Sequence, residues 1–519
     1  MLTLLPVGLL VITVAVMAFY ARRRPNYAYH WLWAASGSLF AWVSVWILRT
    51  QLPTSIRLAL WSSDGLLPFP PRLTIDAVSW PFTLALTTIC LATIFTDVSR
   101  AIESNWMVWA GDLGITTLGI LAVMAGNPLT LVMTWTLIDF VEMTILLRRV
   151  DDQPTRRRVI AFFSTSMLGI MMVLWAIIIS RSAGTTLTFN QIPPEAAVFL
   201  IIAVGLRMGI LPLQIVFLRD VLQQRGHGTL LRLVPPATSL VLLVRVAYTD
   251  VNATWEWILL VFAVLAAGYG SVAWARAGDE IQGRIFWVIG LSGLAFAATL
   301  RSRPEATLAW SMALLYPGAV LFLASIHERS LWPIGLLSLY SLTTLPLSPT
   351  LPGAGLHAPF HPLSILWLLA QALLIVGYFR HLRRETESLV GVERWVRLIY
   401  PLGLALLPVT HFISGNWLMP DLGVSNPSPI WPGLVLLAIL AAGGVLVWHG
   451  IQLPERRIQQ IDQIFSLQWF YTVFTWTYNT VGQVLSFVSS LLEGEGGVLW
   501  ALVLVALLVS LVAQLGVGL

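Results

Sequence analysis

The chain has 519 residues, 57% of them hydrophobic and 11% charged, and all 30 of its Lys and Arg positions are arginine. That balance excludes a water-soluble globular domain and describes a polytopic protein solvated by lipid; a single cysteine, Cys90, excludes a disulfide framework and a cysteine-held zinc or iron–sulfur site. The formal net charge of +5 does not indicate nucleic acid, because the arginines cluster at the ends of apolar segments, where membrane topology accounts for them.

Windows of about 20 apolar residues, enough to cross roughly 30 Å of hydrocarbon, predict about sixteen spans. They run over 2–20, 29–48, 79–96, 106–125, 128–147, 159–180, 194–218, 233–248, 256–275, 285–300, 305–326, 331–346, 362–379, 397–415, 431–449 and 497–517. The first carries Arg22, Arg23 and Arg24 at its C-terminal end and no cleavage signal, which predicts an uncleaved helix with its N-terminus outside. Alternating loops from that start leaves Arg49, Arg57, Arg72, Arg181, Arg301 and Arg303 outside. Arg207 and Arg245 fall within spans, and all other arginines lie on the cytoplasmic side. This asymmetry is the one expected of a multi-pass protein of a bacterial-type inner membrane.

The stretch 455–490 differs. Ile458, Ile461, Ile464 and Phe465, then Val473, Phe474, Val481 and Leu485, recur at helical spacing among Gln459, Gln460, Asp462 and Gln463. That pattern predicts an amphipathic helix along the cytoplasmic surface, a strap between subunits or a lipid anchor. The fold class is therefore an all-α polytopic membrane protein with broken helices. Its expected organisation is a transmembrane core over 1–415, a further span and loop over 416–454, a lateral helix over 455–496 and a C-terminal anchor over 497–519.

Four stretches carry a resemblance. Leu73-Thr-Ile-Asp76-Ala-Val-Ser79-Trp-Pro-Phe82 enters the third span, and Asn127-Pro-Leu-Thr-Leu-Val-Met-Thr-Trp135 the fifth. Gly205-Leu-Arg207-Met-Gly-Ile-Leu-Pro212-Leu-Gln214 lies in the seventh, and Pro235-Pro236 to Arg245 in the eighth. In order and spacing the chain resembles the antiporter-like subunits of respiratory complex I, membrane-bound hydrogenases and Mrp cation/proton antiporters, and in layout the distal, long-armed member. The resemblance implies a subunit of an ion-translocating assembly such as a proton-translocating NADH:quinone oxidoreductase, without a catalytic site of its own. Its implied partners are other integral membrane subunits and lipids. One branch of the family also pairs with a carbonic-anhydrase-like protein.

The family moves protons with a fifth-helix Glu, lysines on the seventh and eighth helices, and a Lys or Glu on a broken twelfth. This sequence departs at each place. Thr136 follows Trp135 where the Glu is expected, Arg207 and Pro236 occupy the lysine positions, and the twelfth-helix position falls near Ala354. Arginine keeps a charge but is too basic to shuttle protons.

Asp139 and Glu142 lie one and two turns beyond Trp135 on nearly the same face. Asp139 and Arg207 reach similar depth, which predicts a buried carboxylate–guanidinium pair, either a packing device or a relay element. Asp112, in the fourth span, is a lone polar contact or a relay group; His411, near the end of the fourteenth span, and His327, at the end of the eleventh, are histidines that titrate near neutral pH. His227 falls in an expected break between spans seven and eight, where irregular backbone lines water or protein. No phosphate loop, nucleophile elbow or metal-spaced cluster appears, so no cofactor is expected. Two functions remain open: an ion-translocating subunit with an impaired or altered proton pathway, and a non-conducting docking subunit.

Overall fold

The computed structural model describes residues 2–24, 29–57, 70–100, 106–148, 150, 153–211, 225–326, 328–384, 393–418 and 428–448, with Thr472, Trp476, Thr480, Gln483 and Ser486. The helices are α1 (Leu5–Arg23), α2 (His30–Leu48), α3 (Ser79–Asp97), α4 (Trp106–Val123), α5 (Pro128–Leu147), α6 (Gln153–Ser182), α7 (Pro194–Arg207) and α8 (Arg225–Val246). They continue with α9 (Ala253–Arg276), α10 (Glu280–Leu300), α11 (Pro304–Leu323), α12 (Trp332–Tyr340), α13 (Ser364–Leu382), α14 (Arg394–Ile413) and α15 (Trp431–Trp448). Among the described residues, 12 helical stretches are long and apolar enough to cross a membrane. The all-α polytopic class holds, with one small addition: strands β1 (Thr54–Arg57) and β2 (Arg72–Ile75) pair antiparallel in the loop before α3.

The chain divides into two compact units, Met1–Val445 and Leu446–Leu519. In the first, α3, α8 and α10 are 94% and α11 100% buried along their apolar windows, against 33% for α1. These inner helices are less apolar than α1, with mean hydropathy of 1.4 to 1.6 against 2.5, because polar groups inside a membrane bundle find protein partners while lipid solvates the most apolar helices. Close approach of α9 and α10 depends on missing side chains: a Cβ on Gly270 would lie 2.4 Å from the Gly290 nitrogen, and one on Gly293 2.6 Å from the Ala267 nitrogen. Small residues at such crossings let helix backbones meet where lipid supplies no hydrophobic drive.

Local signals set the helix starts. Asn127 accepts from the Thr130 amide at 2.9 Å with Pro128 in the first turn, fixing the start of α5. Asp76 accepts from the Val78 and Ser79 amides at 3.1 and 2.8 Å, so the Asp-x-x-Ser motif holds the entry to α3.

Four expectations need correction. Span seven stops at Arg207, not near 218: residues 208–211 turn, with Gly209 at φ 68°. Residues 212–224 lie outside the described residues. Span eight starts at Arg225 and span ten at Glu280, earlier than 233 and 285, because arginines read as loop charge are inside the bundle. His227 consequently sits in the first turn of α8 and not in a break. Finally, 331–346 is not a continuous span. α12 has 9 residues, about 14 Å at the usual rise, and gives way to irregular backbone with Thr344 and Leu347 at φ 52° and 66° before a 3-10 turn at Leu351–His357.

In the second unit Thr472, Trp476, Thr480, Gln483 and Ser486 are helical, all within the stretch read as an amphipathic helix. The rest of that stretch and the final span, 497–517, lie outside the described residues.

Candidate functional site

α5 presents Trp135, Asp139 and Glu142 inward, because residues three and four apart share a helix face. Thr136 is exposed and donates to the Val132 carbonyl, so the position after Trp135 faces away from the core. The buried acidic groups of this helix are Asp139 and Glu142.

Arg207, the last residue of α7, grips Asp139 with both terminal nitrogens: Nη1 to Oδ2 at 2.6 Å and Nη2 to Oδ1 at 2.7 Å. Asp139 is 2% and Arg207 7% exposed, and the guanidinium lies 4.2 Å from the Trp135 ring centroid. Gly169 of α6 makes room for the arginine stem, since a Cβ there would stand 2.8 Å from Arg207 Cγ. A helix C-terminus favours the cation, and the fork matches the carboxylate.

Glu142 is buried one turn further along α5. Asp112 of α4 is no lone contact: its Oδ1 lies 2.6 Å from His227 Nδ1 on α8, and both residues are buried. His411 is buried in α14, stacked on Tyr316 with ring centroids 5.0 Å apart, just before a π turn at Ser414–Leu418. His327 lies outside the described residues. Pro236 and Ala354 are both buried.

Sequence reasoning missed several charges. Arg232 is buried on α8, four residues before Pro236, so that helix carries a positive charge one turn from it. Arg284 of α10 is fully buried and donates to the Arg225 carbonyl at 2.8 Å and to Thr229 Oγ1 at 3.0 Å. Arg225 meets Glu280 at 2.7 Å and donates to the Ala324 carbonyl at 2.7 Å, while Arg384 stands 3.7 Å from Glu280. Helix periodicity run back through 225 and 280 was the signal available for these groups.

At the opposite end of α8, Arg245 meets Asp76 at 2.9 and 3.3 Å. They line a cleft of about 480 Å³ with Phe189, Gln191, Tyr248 and Thr249. Burial alone would raise the Asp76 pKa, but the Arg245 charge with hydrogen bonds from the Ser79 amide and hydroxyl outweighs it. The carboxyl is held below its ordinary range. Among the described residues no three His, Cys, Asp or Glu side chains converge on a possible metal site.

The site therefore holds a buried Asp139–Arg207 pair, the Asp112–His227 pair and a basic cluster at one end of α8, and a carboxylate–guanidinium pair at the other end. No protein-family model and no curated protein matches the sequence. The fold does have neighbours. A chain of the membrane-bound sulfane sulfur reductase, an archaeal respiratory membrane complex, matches with TM-score 0.69 at 13% identity, covering 98% of this chain and 99% of its own. A chain of the Mrp complex from Dietzia sp. gives TM-score 0.72 at 14% identity over 99% of this chain, which spans only 63% of that longer chain. A chain of respiratory complex I from Thermus thermophilus gives 0.58 at 16% identity, covering 80% and 98% respectively. These neighbours establish the fold.

Proposed function

We propose that this chain is an antiporter-like membrane subunit of a multi-subunit ion-translocating assembly related to complex I, in a bacterial-type inner membrane with its N-terminus outside. In it the α5–α7 position is a fixed charge pair, not a proton carrier. The bidentate, buried contact between Arg207 and Asp139 carries this reading. Ionisable groups at membrane depth mark ion pathways by default, and an arginine there cannot release its proton. Arg207 holds Asp139 in a two-pronged contact and sets the local field. Protons pass instead along other buried polar groups, led by the Asp112–His227 pair between α4 and α8.

The test is proton flux through the purified full chain in liposomes under an imposed pH gradient. Flux above that of empty vesicles, cut by His227→Gln and retained in part by the Asp139→Leu/Arg207→Leu double variant, supports the reading. Complete loss in a folded double variant makes the pair part of the path and overturns the fixed-charge assignment. No flux from the wild-type chain, with other membrane subunits co-purifying, replaces translocation by the docking role. A co-purifying carbonic-anhydrase-like protein would identify the partner class.

A further inference from the structure

The cleft between the entry to α3 and the end of α8 differs from the other charged sites in that its carboxylate is open. The Asp76 side chain is 20% exposed, against 0–4% for the carboxylates that face Arg207, Arg225 and His227. Its Oδ1 is crowded, accepting from the Val78 and Ser79 amides, the Ser79 hydroxyl and Arg245 Nη2. Among the described residues Oδ2 accepts from Arg245 Nη1 alone, and a carboxylate oxygen has two lone pairs, so one remains toward the cleft. Arg245 is 7% exposed and lies 5.7 Å from the Phe189 ring centroid. Its guanidinium has five N–H donors, of which Asp76 takes two, the second at a loose 3.3 Å. The floor of the cleft thus offers donors and an acceptor side by side, with no net charge.

Its walls suit the surface of a bilayer. Tyr248 lines the cleft just past the last turn of α8 and is 48% exposed. Trp255 and Trp257, 46% and 55% exposed, follow in the first turns of α9. Half-exposed aromatic residues at span ends mark the headgroup layer, where one side of the ring meets lipid and the other water. Across the cleft, the loop between α6 and α7 supplies the exposed Gln191 and the buried Phe189 and Ile192. The volume of about 480 Å³ falls in the range of small-ligand sites.

We propose that this cleft binds the headgroup of a zwitterionic phospholipid with a primary ammonium, that is, a phosphoethanolamine headgroup. Phosphate oxygens accept from the N–H groups of Arg245 that Asp76 leaves open. The ammonium donates to Asp76 Oδ2 and to the Gln191 amide oxygen, and the glycerol backbone lies against Tyr248. The chemistry selects this headgroup over others. An anionic headgroup gains from Arg245 but is repelled by Asp76, and a quaternary ammonium has no N–H to donate. A metal cation finds one free carboxylate lone pair where several oxygen ligands are needed. Bound lipid joins the entry to α3, the α6–α7 loop and the end of α8. The site is independent of whether the chain conducts protons.

Native mass spectrometry of the delipidated full chain in detergent tests the site, with dioleoyl phosphatidylethanolamine, phosphatidylcholine and phosphatidylglycerol titrated separately. One equivalent of phosphatidylethanolamine is expected to bind about 10-fold or more tighter than either of the others, the worth of one charge-assisted hydrogen bond. Gln191→Trp, which fills the cleft from an exposed position, is expected to remove that preference. Gln191→Leu, which adds no bulk, is expected to weaken it about 5-fold, the worth of one ordinary hydrogen bond. Equal binding of the three lipids, tighter binding of phosphatidylglycerol, or a preference that survives in folded Gln191→Trp and Gln191→Leu overturns the site. Soluble O-phosphoethanolamine separates the two sources of this chemistry. Binding about 10-fold or more weaker than the lipid supports a lipid occupant, whose chains bury further apolar surface, and binding as tight as the lipid overturns it.

Discussion

Arg207 and Asp139 exchange two charge-assisted hydrogen bonds with little access to water. Removing one partner of a buried pair strands the other, at a cost of about 3–5 kcal/mol, whereas replacing both by apolar groups is far milder. Arg207→Leu should therefore lower the melting temperature in detergent well below that of Arg207→Lys, and the Asp139→Leu/Arg207→Leu double variant should recover much of the loss. Equal melting temperatures for the two Arg207 variants would count against the pair. Asp76 gives the pH prediction. Its carboxyl titrates lower in the folded protein than in the unfolded chain, so its contact with Arg245 contributes fully above the ordinary carboxylate pKa. That contribution is lost as pH falls through the depressed folded value. Asp76→Asn should flatten the acid limb of a melting-temperature profile and leave its shape near neutrality unchanged; an identical acid limb would contradict the assignment.

At the scale of elements, the contact between α9 and α10 rests on backbone meeting backbone. A Cβ at Gly270 would press on Gly290 N and Cα at 2.4 and 2.6 Å, atoms that cannot rotate aside. Gly270→Ala should destabilise by about 1–3 kcal/mol, the usual range for overpacking, read as a lower melting temperature; an unchanged value would mean that the helices separate freely. The elements also show where sequence reading works and where it fails. The boundaries of α5 follow from Asn127, Pro128 and an uninterrupted apolar run, and the expected span 128–147 matches the helix residue for residue. The starts of α8 and α10 do not follow from local signals. Arg225 and Arg284 look like loop charges until Glu280, Thr229 and the Ala324 carbonyl approach them from other parts of the chain. His227 was misplaced for the same reason: the glycines on either side of it suggest a break, yet Gly226 packs against Asp97, where a Cβ would stand 2.3 Å from Oδ1.

For the whole molecule, the arginine asymmetry sets an orientation that labelling can check. In a Cys90→Ser background, a thiol at Ser182 should react with an impermeant maleimide from outside intact cells, and one at Arg383 only after permeabilisation. The reverse pattern would invert the topology.

The sequence by itself determined the membrane class, most of the spans and the absence of lysine, because hydropathy and residue identity are local properties that every window of the chain displays. Tertiary structure alone decided which charges face one another. Asp112 with His227, Arg207 with Asp139 and Arg225 with Glu280 join helices far apart in the chain. The free energy of a buried charge depends on the partner that packing brings within about 3 Å, and a one-dimensional pattern does not contain that distance.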